Sequence, residues 1–231
     1  MRRTLFCFLA LCLAVYATAS AGSIAGKITY DGNVPKLSPV DAGDFADCAA
    51  MHRGGRIPDQ SLVLGDGNAL GNIFVQVKNA PAGSHRAPSR PVIIEQKGCI
   101  YLPRMVGVMA GQPLQFKNSD GILHKVRGLP KVNQGFNLGM PPAARESVTL
   151  GRPEPVFEVK CDVHPWMNSY VAVMTHPYFA VTGTDGRFRI DGLPDGTYEV
   201  EAWHEKLPAV TGRATVSGGS ARLDLTFEAG R

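Results

Sequence analysis

The sequence predicts an all-β protein of two successive sandwiches, and three observations carry that reading. Glycine (26) and proline (17) are dense in the 231 residues, together about 19% against roughly 12% in average usage, which leaves little room for long helices. Short apolar or alternating runs recur along the chain, each closed by turn pairs such as Asp31-Gly32, Asp185-Gly186 and Asp191-Gly192, the mark of strands and hairpins. With 44% hydrophobic and 19% charged residues, the chain can bury a core and is not wholly disordered.

Residues 1–21 combine Arg2-Arg3, an apolar run over residues 5–15 and the small residues Ala17-Thr18-Ala19-Ser20-Ala21, the three parts of a secretory signal peptide. The run is too short to span a bilayer, which needs about 20 apolar residues. No later stretch is apolar enough either, so the expected mature protein is soluble and periplasmic or secreted. The formal net charge is only +4, and two of the arginines lie in the leader, so the balance gives no case for nucleic acid.

From residue 23 the runs predict strands over residues 23–30, 73–77, 92–95, 105–109, 113–117 and 156–160. In the last of these Phe157, Val159 and Cys161 share one face. Residues 128–155 are rich in Gly, Pro and Asn and read as loop, with one short strand near 146–150. A strand over 170–174 closes the first unit, expected over 22–176. The rhythm then changes, with strands at 178–182, 187–190, 197–203, 213–216 and 221–227, the spacing of a small antiparallel sandwich over 177–231. At about 55 residues this second unit is near the lower limit for its own core, so it should pack against the first.

Removing the leader leaves Cys48, Cys99 and Cys161, an odd number for an oxidising compartment, with three single pairings open. The run Cys161-Asp162-Val163-His164-Pro165-Trp166-Met167 supplies a reason to exempt one of them. It places a thiolate, an imidazole and a thioether within seven residues where a strand enters a turn. With His124 upstream, the set is two His, one Cys and a weak Met, the ligands of a type 1 copper site. Copper needs this mixture because Cu(I) favours soft sulfur and Cu(II) favours imidazole. Zinc would prefer further Cys or His to a thioether. With Cys161 so engaged, Cys48 and Cys99 are expected to form a disulfide contributing about 3–4 kcal/mol through the unfolded chain.

The 161–167 run resembles the ligand loop of amicyanin-type cupredoxins, of form Cys-x-x-His-Pro-aromatic-Met. Residues 111–120, followed by His124, resemble the strand and loop that bring the first histidine in plastocyanin-like proteins. The resemblance implies a cupredoxin-like Greek-key β-sandwich, with His124, Cys161 and His164 as equatorial ligands and Met167 axial. It also implies a redox partner protein docking near His164, the electron's exit, on a rim formed by Pro165 and Trp166, unless Trp166 is instead a core residue, a reading the sequence leaves equally open. Residues 182–227, with Asp185-Gly186-Arg187-Phe188 and Leu193-Pro194-Asp195-Gly196-Thr197-Tyr198, resemble a carboxypeptidase-regulatory-type (transthyretin-like) sandwich. The whole chain resembles exported bacterial proteins that join these two modules, some of them labelled methylamine utilisation proteins, and no role in methylamine utilisation is expected from that resemblance alone. One departure is Lys125, which stands where many cupredoxins have an Asn that tethers two ligand loops. Lysine offers no acceptor for that tether, so a site that is looser, more exposed or shifted in potential is expected.

The function expected is one-electron transfer between periplasmic partners. Its rivals are copper storage or delivery with the same ligands, and a structural envelope module. Hydrolase motifs such as Gly-x-Ser-x-Gly and His-Glu-x-x-His are absent from the sequence, and no catalysis is expected. His176 and His204 are read as surface or interface residues, and His52 and His85, in polar loop-like context, are given no role.

Overall fold

The computed structural model describes residues 21–228; the expected leader, Ala21 excepted, lies outside the described residues. In chain order the strands are β1 (Gly22–Asp31), β2 (Phe74–Val77), β3 (Val92–Gln96), β4 (Tyr101–Leu102), β5 (Met105–Met109), β6 (Pro113–Asn118), β7 (His124–Gly128), β8 (Phe136–Met140) and β9 (Arg145–Thr149). They continue with β10 (Glu154–Cys161), β11 (Asn168–Met174), β12 (Phe179–Val181), β13 (Arg187–Leu193), β14 (Gly196–Trp203), β15 (Val210–Val216), β16 (Ser220–Arg222) and β17 (Leu225–Glu228). Among the described residues, one short α-helix, α1 (Ala46–Ala50), and two 3-10 turns, Arg53–Gly55 and Asp66–Asn68, lie between β1 and β2. The all-β expectation is met.

Two sheets make the first sandwich, in the orders β4-β3-β6-β9 and β5-β11-β10-β7-β8. Within them β3 runs parallel to β6, and β5 to β11. Alternation decides which face is buried: Leu114 and Phe116 of β6 meet Phe157 and Val159 of β10 and Val171 and Val173 of β11 in one core. Cys161 follows on the same face of β10, so the strand carries its thiol to one end of the core.

The second sandwich pairs the sheet β13-β1-β16, with β17 also on β1, against β12-β2-β14-β15. This corrects the expected boundary at residue 176, because β1 and β2 belong to the second unit. Ile24, Ile28 and Tyr30 of β1 and Val75 and Val77 of β2 are buried with Phe188, Ile190, Val200 and Phe227. The physical reason is size: too few C-terminal residues exist to close a core, and two N-terminal strands complete it. Adjacency in sequence had placed those strands with their neighbours. A segment around residues 40–57, held by a Val40–Ile57 bridge, returns to the first sandwich, where Ala42, Cys48 and Ile57 are buried.

The sandwiches meet through Phe74, Phe179 and Trp203 on one side and Met105, Tyr170 and Ala172 on the other. Gly107 of β5 leaves room for this contact, since a Cβ there would stand 2.5 Å from the Phe179 ring and 2.8 Å from the Phe74 ring. Gly107→Ala is expected to lower stability by about 1–3 kcal/mol through overpacking. A urea melt reads this, and an unchanged midpoint would count against the contact.

Residues 128–155 are more ordered than expected. β8 pairs with β7 as a hairpin and β9 with β6. Buried Glu154 accepts N–H bonds from Lys131, Val132 and Asn133, pinning the connecting loop to the start of β10.

Candidate metal centre

Three strand ends build the site. β7 begins at His124, β10 ends at Cys161, and the loop to β11 carries His164 and Met167. That loop closes on itself: Met167 N–H donates to the His164 carbonyl, and Cys161 N–H donates to the Met167 carbonyl, both at 3.0 Å. All four residues are buried, at 0% for His124, 4% for Cys161, 2% for His164 and 1% for Met167.

The first three donors converge. Nδ1 of His124 and Nδ1 of His164 lie 3.0 Å apart, and Cys161 Sγ lies 3.9 Å from the former and 3.7 Å from the latter. A triangle with those sides has its centre about 2.1 Å from each corner, the length of metal–imidazole and nearly that of metal–thiolate bonds. The donor set, one soft sulfur and two imidazoles, fits copper. Met167 is buried in the same core as Cys161.

Asp120 orients the first imidazole. Its carboxylate accepts from His124 Nε2 at 2.9 Å and from the backbone N–H of Gly98 and Cys99 at 2.6 and 2.9 Å. With its N–H at Nε2, the neutral imidazole presents an unprotonated Nδ1 to the other two donors, whereas the imidazolium of the metal-free site carries N–H at both nitrogens. Asn118 in turn donates to the carbonyls of Ile122 and Met140, fixing the turn that precedes β7. Neither role was read from the sequence, where Asn118-Ser119-Asp120-Gly121 looks like an ordinary turn. The usable signal was a carboxylate four residues before a histidine.

At Lys125 the two candidate ligand segments are joined through the backbone. Lys125 is exposed, but its carbonyl accepts the Asp162 N–H at 2.9 Å, tying β7 to the 161–167 loop by backbone. The Asp162 carboxylate adds a bond from Arg127 at 2.6 Å.

Pro165 is exposed, but Trp166 is half-buried and donates Nε1–H to the Cys99 carbonyl at 2.9 Å. His164 does not reach the surface. Phe45, just before α1, stands edge-on to His164 at 5.1 Å and to Trp166 at 5.2 Å. The expected Cys48–Cys99 disulfide is present and fastens α1 over this end of the sandwich. His52 adds a bond to the Gly98 carbonyl at 2.6 Å. Phe45 and Leu123, 37% and 54% exposed, add apolar surface at this end of the sandwich, where the disulfide and core contacts bring the segment carrying Phe45.

The metal-free electrostatics favour a thiolate. Burial raises the Cys161 pKa, but hydrogen bonds from His124 and His164 and from backbone N–H groups outweigh it and bring it down to about 5. Burial lowers that of His124, but bonding to Asp120 and Cys161 raises it overall. A depressed thiol stabilises the fold fully above the unfolded thiol's range and loses that effect as pH falls through about 5. Titration of metal-free protein by thiolate absorbance is therefore expected to show a midpoint near 5 that is missing in Cys161→Ser. A midpoint in the ordinary thiol range would contradict the hydrogen bonds described.

No family model matches the chain, and no curated protein matches it. Solved structures similar to part of it include a Cu-containing nitrite reductase from Thermus scotoductus SA-01, 18% identical over 41% of this chain and 25% of that one, with a TM-score of 0.35. A purple cupredoxin from Nitrosopumilus maritimus is 18% identical over 36% of this chain and 98% of its own, TM-score 0.31. A Cu(I) amicyanin mutant is 16% identical over 43% and 98%, TM-score 0.33. Among the described residues no helix is long and apolar enough to cross a membrane.

Proposed function

We propose that the chain is an exported, cupredoxin-like type 1 copper protein that carries one electron between partner proteins. The observation that carries this reading is the convergence of His124 Nδ1, Cys161 Sγ and His164 Nδ1 on a point at metal-bond distance from all three. His124, Cys161 and His164 would hold the ion, with Met167 as the weak axial donor. Copper, when bound, would supply one-electron cycling between Cu(I) and Cu(II). The residues supply rigidity: Asp120 holds His124, the Asp162–Lys125 backbone bond joins two ligand segments, and the closed 161–167 loop holds the other two. The disulfide agrees with an oxidising compartment.

Burial bears on the rival of copper delivery. Four candidate ligands at 4% exposure or less favour a resident ion over one handed on freely. The electron's route then leaves His164 through Phe45, whose exposed edge replaces the bare imidazole.

Loading the mature protein with Cu(II) tests the reading. An intense thiolate-to-copper charge-transfer band and a small copper hyperfine splitting in EPR are expected, both lost in Cys161→Ser. A pale, ordinary Cu(II) spectrum would overturn the assignment.

A further inference from the structure

His164 stands in two donor sets. Besides its place with His124 and Cys161, a ring nitrogen of His164 and the sulfurs of Cys48 and Cys99 all lie within 4.8 Å of one another, and all three residues are buried. A surface cleft of about 280 Å³ leads to this place. Exposed Asp44, Phe45, Asp47 and Leu123 line its outer part, and buried Cys48 and His164 line its base. The two carboxylates would draw a cation toward the base.

We propose that reduction of the Cys48–Cys99 disulfide creates a second soft-metal site, in which the two thiolates and His164 bind one Cu(I) ion. The step is balanced by a dithiol reductant entering at the cleft. It gives two electrons and two protons to the S–S bond and is itself left as a disulfide. Two thiols result, and Cu(I) then displaces their two protons, since thiolates are its preferred ligands. The donors stay in place once the S–S bond is gone. Asp120 holds the Cys99 N–H, Trp166 holds the Cys99 carbonyl and His52 holds the Gly98 carbonyl. The Val40–Ile57 bridge and the buried Ala42 and Ile57 keep the α1 segment on the sandwich. The proposal rests on the copper reading above for the identity of the ion, but Cys161 takes no part in it.

The test uses the mature Cys161→Ser chain without oxygen, titrated with Cu(I) against the chelator bicinchoninate before and after reduction with a phosphine. Reduction is expected to tighten Cu(I) binding at least about tenfold, with one ion per chain and two sulfur neighbours in X-ray absorption. His164→Ala in the same background should remove at least about tenfold of that affinity, as loss of a metal-site partner does. Near-UV circular dichroism follows the fold throughout. No gain on reduction overturns the proposal, and so does a gain that His164→Ala leaves intact, which is how thiols of an unfolded chain behave. Failure of the type 1 reading shows separately, in the Cu(II) spectrum of the oxidised wild-type protein.

Discussion

If His124 ligates copper as proposed, Asp120→Asn is expected to weaken copper binding by about 10–100-fold, the usual consequence of losing the group that orients a ligating histidine. The carboxylate receives three N–H groups, from Gly98, Cys99 and His124, and itself donates nothing. An asparagine side chain offers one oxygen and one NH₂, so in either orientation at least one of those donors faces another donor. If His124 Nε2 is the one left without an acceptor, its proton is free to move to Nδ1, the atom the metal needs. Competition against a chelator reads the affinity, and a change under twofold would show that Asp120 does not set the imidazole. A pH effect follows from the same bonds. Burial raises the Asp120 pKa, but its bonds to His124, Cys99 and Gly98 hold it below the usual carboxylate value. Its stabilising effect is therefore present above about pH 4 and lost as pH falls through the lower folded value. His124, raised overall, has the opposite dependence, and its contribution disappears as pH rises through its folded value. Asp120→Asn should flatten the acid limb of a stability profile.

Glu205→Ala is expected to destabilise the fold by about 3–5 kcal/mol, because it leaves Arg104 buried without its counter-charge. Arg104 meets the Glu205 carboxylate with both Nε and Nη2, the second at 2.9 Å, and the Tyr170 hydroxyl donates to the same carboxylate at 2.8 Å. Both charged side chains are nearly closed to water, at 8% and 7% exposure. Arg104 lies between β4 and β5, Tyr170 on β11 and Glu205 just after β14, so the cluster locks one sandwich to the other beside the Phe74–Phe179 contact. The double variant Arg104→Met/Glu205→Leu should recover most of the loss, since replacing a buried pair by apolar groups of similar volume is often neutral. Denaturant melts of both variants decide it. If Glu205→Ala shifted stability by less than about 1 kcal/mol, within the range of an exposed pair, the lock would be refuted.

Local pattern made much of this protein legible. Alternation in Phe157, Val159 and Cys161 located the thiol on the buried face of a strand end, and the glycine-bounded runs located β1, β2 and most of the later strands. The hairpin β7–β8 escaped notice because His-Lys-Val-Arg-Gly and Phe-Asn-Leu-Gly-Met carry too few apolar residues over five positions for a period to stand out. Cysteine arithmetic, with Cys161 exempted by its neighbours, anticipated the Cys48–Cys99 pairing. It could not anticipate that this bridge lies against His164.

By itself the sequence determined the all-β class, the strand that ends at Cys161 and the grouping of thiol, imidazole and thioether side chains in residues 161–167, because each depends on side-chain type and spacing within about ten positions. The tertiary structure alone decided the rest. Completing the second core needed β1 and β2, which come from more than a hundred residues upstream of β13 and β14. Covering His164 needed Phe45, and orienting His124 needed the Gly98–Cys99 turn to share Asp120 with it. Such contacts follow from how whole sheets stack and close, and no local period records which distant segment will fill a given edge.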